Sequence, residues 1–433
     1  MKSCFAAAFL LLFYATVAAQ ELVSATLLGV RTSSELTSQF GLPMSFGAKF
    51  YRITYTTSDL QGMTDTVSGL VAVPDDPTRV YPRVVYQHGT AGSPLGVPSF
   101  NAAQDGEGSI GLLFAGLGYV ALLPDYLGLG LSDGFHPYVH AASEAWVAAD
   151  MLRALPAFNA QYDVFTNEQL FITGYSQGGH AAMALHREVE TSLQDEFTVT
   201  AAAHLSGPYS IGEVMRDLIL SDDIYYYPSY LPNTILSYQT GYGGLFDQMT
   251  DVFKEPYATA IGQFYTGAIT LDQLNNQLIA LLTTNEGAMA DDQVPYLNSL
   301  LARDSMLARG AIDLVATDVD PTADHGGCVV PALTYTVFFF AGYQQVGTVT
   351  AIDTPVVELL QVWPNPAGAT ATLRNLPANG HVTVMDISGL TRMRATVSGG
   401  DQQLDVSGLE NGLYLVQCRT AGRLWQGKMV VQR

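Results

Sequence analysis

Two serines stand in the pattern Gly-x-Ser-x-Gly: Ser132 in Gly130-Leu131-Ser132-Asp133-Gly134 and Ser176 in Gly174-Tyr175-Ser176-Gln177-Gly178. Flanking glycines let the backbone turn sharply enough to present a serine hydroxyl as a nucleophile for acyl transfer. With 41 glycines in 433 residues the pattern also arises by chance, so its surroundings must decide. A nucleophile turn needs a strand running into the serine and a helix leaving it, because that geometry aims backbone N–H groups at the substrate. Ser176 follows the apolar run Leu170-Phe171-Ile172-Thr173 and precedes Gly178-Gly179 and the helix-like His180-Ala181-Ala182-Met183-Ala184-Leu185. Ser132 follows Leu127-Gly128-Leu129-Gly130 and runs into Phe135-His136-Pro137, where proline opposes an immediate helix. Ser176 is therefore read as the nucleophile and Ser132 as a loop serine.

A serine hydroxyl is a weak nucleophile near neutral pH, so a base must take its proton and a third group must orient that base. Where a strand–serine–helix turn carries the nucleophile, the acid and then the histidine follow it along the chain. His325, in Asp324-His325-Gly326-Gly327, follows an apolar run at Ile312 to Thr317 and a turn at Asp318 to Asp320, the place for the base. Between the two lies Asp291-Asp292-Gln293-Val294-Pro295-Tyr296, from which Asp291 is taken as the acid, with Asp292 second and a helix-capping role open to either. The run Leu278 to Thr284 before them shares helical spacing with Leu271 and Leu274, so the strand that normally precedes the acid is not visible. The oxyanion of acyl transfer needs preorganised donors, for which the backbone N–H groups of Gln177 and of Thr90, in the loop Gln87-His88-Gly89-Thr90-Ala91-Gly92, are expected. His88 reads as a turn-shaping residue, and His180 and His186 as structural or surface residues of the helix after Ser176.

The elements that must position these groups alternate. Short apolar, β-branched or aromatic segments at Val67 to Val73, Arg83 to His88, Tyr119 to Pro124, Leu170 to Thr173, Val199 to Leu205 and Ile312 to Thr317 read as buried strands. Helical spacing is expected at Ile110 to Leu117, Ala142 to Leu155, His180 to Leu193 and Val329 to Phe340. Alternation of this kind implies a mostly parallel sheet covered by helices on both faces. It fails at about 207–286, a tyrosine-rich stretch read as a cap inserted over the sheet. After a linker at 348–360, short alternating strands at Thr370 to Leu373, His381 to Met385, Gln403 to Val406, Leu413 to Cys418 and Lys428 to Val431 imply a small all-β domain over 361–433.

Composition narrows the partners. The formal charge of -21 would repel a phosphate backbone, so nucleic acid is not an expected partner. Residues 1–19 carry Lys2, the apolar run Cys4 to Ala18 and small residues at Val17 and Ala19, the pattern of a signal peptide cleaved after Ala19. No later apolar run reaches the length needed to span a bilayer. Removal of Cys4 leaves Cys328 and Cys418, too few for a disulfide framework or a cysteine zinc site. Nucleotide and zinc-protease fingerprints are not found, so no cofactor or metal is expected.

Two resemblances follow from these motifs. Val362-Trp363-Pro364-Asn365-Pro366, Asp386-Ile387-Ser388-Gly389 and Leu409-Glu410-Asn411-Gly412-Leu413-Tyr414 resemble the C-terminal sorting domain of the type IX secretion route. That resemblance implies secretion machinery as a partner, a secreted or outer-membrane surface location, and no catalytic role for the domain. Over about 45–345, Gln87-His88-Gly89-Thr90, Pro124-Asp125-Tyr126-Leu127-Gly128-Leu129-Gly130, His136-Pro137-Tyr138, Gly174 to Gly179, Ser206-Gly207-Pro208-Tyr209 and Asp291 to Asn298 resemble the secreted lipases and esterases of the α/β-hydrolase superfamily. This implies an α/β-hydrolase domain over 20–347, hydrolysis of lipid or short-chain acyl esters through an acyl-enzyme, and the triad Ser176, Asp291 and His325. Two other readings stay open: an exported serine peptidase on the same fold, and a catalytically silent surface protein that keeps the scaffold.

Overall fold

The computed structural model describes residues 21–104, 106–215, 227–282, 325–349, 357–376, 380–386, 391–420 and 423–433. They fall into two compact units, divided after Thr348.

The first unit is built on a sheet of β1 (Leu22–Arg31), β2 (Ala48–Ser58), β3 (Thr64–Pro74), β4 (Arg79–Gln87), β5 (Val120–Pro124), β6 (Thr166–Tyr175), β7 (Val199–Leu205) and the short β8 (Gly347–Thr348). The order is β1-β2-β3-β5-β4-β6-β7, with β8 paired to the start of β4. β5, β4, β6 and β7 pair in parallel, whereas β1, β2, β3 and β5 pair antiparallel, as β8 does with β4. In the central strands apolar side chains point to both faces, because both faces are covered. On β3, Val67, Val71 and Val73 enter one core and Leu70 and Ala72 the other; on β6, Leu170 and Ile172 part from Phe171 in the same way.

Helices occupy both faces. These are α1 (Ser33–Phe40), the short α2 (Pro98–Asn101), α3 (Gly108–Gly116), α4 (Ala141–Tyr162) and α5 (Gln177–Ser192), followed further on by α6 (Tyr230–Tyr242), α7 (Tyr257–Tyr265), α8 (Leu271–Leu282) and α9 (Val329–Ala341). Val147, Met151, Leu155 and Phe158 of α4 and Leu185 and Val189 of α5 fill the first core. Leu112 to Ala115 of α3 and Leu333, Val337 and Phe340 of α9 fill the second. Each such side chain taken fully out of water contributes about 1.5–3 kcal/mol, which fixes the helices on the sheet. Helices α6, α7 and α8 instead pack on one another through Ile235, Phe253, Tyr257, Ile261, Leu274 and Leu278. These helices fall within the stretch 207–286 read from the sequence as a cap; residues 216–226 and 283–286 of that stretch lie outside the described residues.

Several features differ from the sequence reading. β1 and β2 extend the sheet ahead of Val67, where the sequence shows no strand pattern. β6 begins at Thr166 and α4 runs on to Tyr162, past Pro156. The strand expected at Ile312 to Thr317 and the signal segment 1–19 lie outside the described residues.

The second unit is all-β. β10 (Gln361–Trp363), β11 (Thr370–Leu376) and β14 (Gly400–Asp405) form one sheet. β13 (Thr391–Val397), β12 (Gly380–Asp386), β15 (Gly412–Thr420), β16 (Arg423–Val431) and β9 (Val357–Leu359) form the other, in that order. Leu373, Val382, Val384, Val416, Cys418 and Met429 lie in their common core. β9 falls inside the stretch 348–360 expected as a linker and pairs in parallel with β16. β13 is not among the expected strands, although Met393, Ala395 and Val397 alternate with Arg392, Arg394 and Thr396 and pack toward the core.

Candidate active site

Ser176 stands between the last residue of β6 and the first of α5, at φ 59° and ψ −123°. A side chain held in this left-handed region costs about 1–3 kcal/mol and persists only when its surroundings over-determine it. They do: the Ser176 N–H donates to the Leu205 carbonyl at 3.0 Å, and the Ser176 carbonyl accepts from Gly179 and His180 at 2.9 and 3.2 Å. Glycine is required at Gly178, where a Cβ would strike the Gln87 carbonyl, and at Gly174, where it would strike the Gly178 carbonyl.

The imidazole of His325 reaches this turn from the loop ahead of α9, its Nε2 2.9 Å from Ser176 Oγ. The Tyr175 hydroxyl donates to the His325 carbonyl, and the two rings lie 5.2 Å apart between centroids. Asp291 and Asp292 lie outside the described residues, as does Asp324. Ser132 is placed as a loop serine: its hydroxyl donates to Asp65 at 2.8 Å and accepts the Gly128 N–H at 2.9 Å.

The loop after β4 faces the same turn. Gly89 N–H donates to both carboxyl oxygens of Glu107, at 3.1 and 2.9 Å, and the Tyr86 hydroxyl donates to the same group at 2.9 Å. Burial raises the Glu107 carboxyl above the usual range, with these hydrogen bonds opposing the shift. Gly89 is thereby occupied, while the N–H groups of Thr90 and Gln177 donate to no partner among the described residues. Thr90 Oγ1 lies 3.0 Å from the Tyr138 hydroxyl. His88 is buried, stacks on Tyr126 at 4.2 Å and contacts the Gly89 carbonyl through Nδ1 at 2.7 Å, a turn-shaping role; burial lowers its pKa to about 4.

Behind the turn, Glu144 contacts both Gln177 and His180, and Gln177 contacts His136. Sequence reasoning passed over Glu107 and Glu144. A signal existed for the second: Glu144 shares a helical face with Ala148, Met151 and Leu155, so it had to be buried.

The cap meets the site through Ser237, whose hydroxyl donates to the His136 carbonyl at 3.1 Å and accepts the Tyr138 N–H at 2.9 Å. Between cap and loop lies a cavity of about 430 Å³, walled by Ala91, Leu129, Phe135, Asn233, Phe264 and Leu271 among others. Among the described residues no cluster of His, Cys, Asp or Glu could hold a metal, and no helix is long and apolar enough to cross a membrane.

Comparison with known proteins bears on both units. Residues 361–432 match the secretion system C-terminal sorting domain family. The chain is similar to the rice cell wall degrading esterase LipA from Xanthomonas oryzae, at 25% identity over 67% of this chain and 78% of that one, with a TM-score of 0.56. A single-residue mutant of that esterase superposes with a TM-score of 0.58 at the same identity and coverage. A provisionally assigned hydrolase of Legionella pneumophila shares the fold at 22% identity, over 75% of this chain and 98% of that one, with a TM-score of 0.58. No curated protein matches the sequence. The chain thus joins an α/β-hydrolase fold to a sorting domain of the type IX route, which marks it for secretion or for the cell surface.

Proposed function

We propose that this protein is an exported serine hydrolase that cleaves carboxylic esters through an acyl-enzyme on Ser176. The observation that carries the reading is the 2.9 Å contact between His325 Nε2 and Ser176 Oγ at a strained strand-to-helix turn. The likeness to an esterase, LipA, supports it independently.

In this reading, His325 Nε2 takes the proton of the Ser176 hydroxyl as Oγ bonds to the ester carbonyl carbon. The carbonyl oxygen gains the negative charge and is met by the N–H groups of Gln177 and Thr90. Collapse breaks the bond to the alcohol oxygen, which leaves with the proton from Nε2. Water then repeats the sequence on the acyl-enzyme and releases the acid. Asp291 is assigned to the Nδ1 side of His325, with Asp292 as the second candidate. Lipid or short-chain acyl esters are the proposed substrates, a choice supported by the likeness to an esterase.

Fluorophosphonate labelling tests the assignment. Wild-type protein should be labelled and should hydrolyse p-nitrophenyl butyrate, Ser176→Ala should do neither, and a peptide anilide should be turned over far more slowly. Absence of labelling in the wild type would falsify the enzymatic reading; faster cleavage of the anilide would make the protein a peptidase.

A further inference from the structure

Buried polar groups that the mechanism above does not use lie directly behind the nucleophile turn. Glu144 is 1% exposed, His180 3% and Gln177 0%. Glu144 Oε1 accepts from Gln177 Nε2 at 2.8 Å, and its Oε2 lies 2.7 Å from His180 Nδ1. Gln177 Nε2 is also 2.8 Å from His136 Nε2, and His136 Nδ1 is 2.8 Å from the Leu127 carbonyl. A carbonyl can only accept, so His136 Nδ1 carries the proton and Nε2 accepts from Gln177. Both hydrogens of the Gln177 amide are then fixed, one by a carboxylate and one by an imidazole lone pair. The reversed amide would turn its oxygen toward two acceptors, which excludes it.

A carboxylate buried this deeply is costly, and a well-packed apolar side chain would serve stability at least as well. Its position is what distinguishes it. Glu144 comes from the first turn of α4 and grips two residues in the first turn of α5, one of which immediately follows Ser176. A coulombic and hydrogen-bonded hold by His180 and Gln177 opposes the burial penalty and keeps the carboxyl below its ordinary range, so the gripping group is charged and its hydrogen bonds are strong.

We propose that Glu144 is a positioning residue for ester hydrolysis: acting through the Gln177 side chain and His180, it holds the first turn of α5 and so aims the Gln177 N–H at the oxyanion. The inference rests on the esterase reading and deepens it, since the donor's direction is set by a group that never touches substrate.

Loss of an oxyanion donor costs roughly 10²- to 10³-fold in kcat, so loosening one should cost less. Glu144→Gln, close in shape, is expected to lower kcat of the full chain on p-nitrophenyl butyrate about 10- to 100-fold with KM within about twofold. Affinity for phenylboronic acid, which forms a tetrahedral adduct on the serine, should fall in parallel. Gln177→Met keeps the backbone donor but removes the amide, and should reproduce the loss. Combining the two should then add little, because both break one linkage. A purely structural role would lower the melting temperature while leaving kcat and boronic acid affinity near wild type in folded protein, which overturns the proposal; so would additive losses in the double variant. If wild-type protein neither hydrolyses the ester nor takes a fluorophosphonate, the esterase reading fails and this inference falls with it. An active wild type beside an unimpaired Glu144→Gln sinks this inference alone.

Discussion

His325 Nε2 and Ser176 Oγ lie 2.9 Å apart although 149 residues separate them along the chain. An imidazole at that distance can remove the hydroxyl proton without a conformational step. His325→Ala is expected to lower kcat on p-nitrophenyl butyrate by about 10⁴-fold or more, with the fold intact by circular dichroism. Activity within tenfold of wild type would exclude this histidine as the base.

The acid assignment separates two neighbours. Asp291→Asn should lower kcat by about 10⁴-fold, as expected when the histidine loses the partner that fixes its tautomer, while Asp292→Asn should stay within a few fold of wild type. Comparing the two variants in one assay reads the choice directly, and the reverse ranking would transfer the role to Asp292.

Glu107 joins the loop after β4 to the sheet. In Glu107→Ala the Gly89 N–H and the Tyr86 hydroxyl lose their acceptor, and a buried group left unpaired costs about 1–3 kcal/mol. Expected are a lower melting temperature and a reduced kcat, since Thr90 directly follows Gly89. Tyr86→Phe removes only one donor and should show the smaller change in both.

Acid should destabilise the protein from the histidines inward. Burial lowers the His88 pKa to about 4, against an ordinary value of 6.5 in the unfolded chain. Between those values the unfolded chain binds a proton that the folded one refuses. The contribution is therefore complete above pH 6.5 and is lost as pH falls toward 4, amounting to about 3 kcal/mol. His136 and His140 are lowered by burial in the same direction. Raised carboxyls such as Glu107 pull the other way, so the reading is the comparison: between about pH 7.5 and 4.5 the wild type should lose more melting temperature than His88→Gln, and an equal slope would remove His88 as a cause.

The catalytic unit should work without the all-β unit. A chain ended after Thr348 is expected to keep kcat and KM within about twofold of full length, because no proposed site residue lies beyond it. Loss of turnover in folded, truncated protein would give residues 349–433 a role besides export.

Much of this was legible in the residues because local chemistry and long-range structure agree. The run Leu170-Phe171-Ile172 leading into Ser176 is apolar, and glycines mark where backbones touch, so the turn could be read from Gly174 to Gly179. β1 and β2 were not legible: Ser24 and Thr26, and Arg52 and Thr54, dilute their apolar positions, and it is the pairing of β1 with β2 and of β2 with β3 that makes them strands. Glu107 was hidden for another reason. Its partners are a backbone N–H and a phenol 18 and 21 residues away, and nothing in a linear pattern marks such a contact. The two aspartates remained a choice between neighbours because capping and catalysis ask for the same residue type.

One contact limits how such a protein can diversify. Gly178, at the start of α5, lies against the Gln87 carbonyl at the end of β4, with no room for even a methyl group between them. The turn that carries Ser176 and the strand that launches the loop opposite are thus a single rigid corner, and moving either displaces both. Variation is left to parts that hang from this corner, above all the three helices α6 to α8, which keep a separate core and are tied back to it through Ser237.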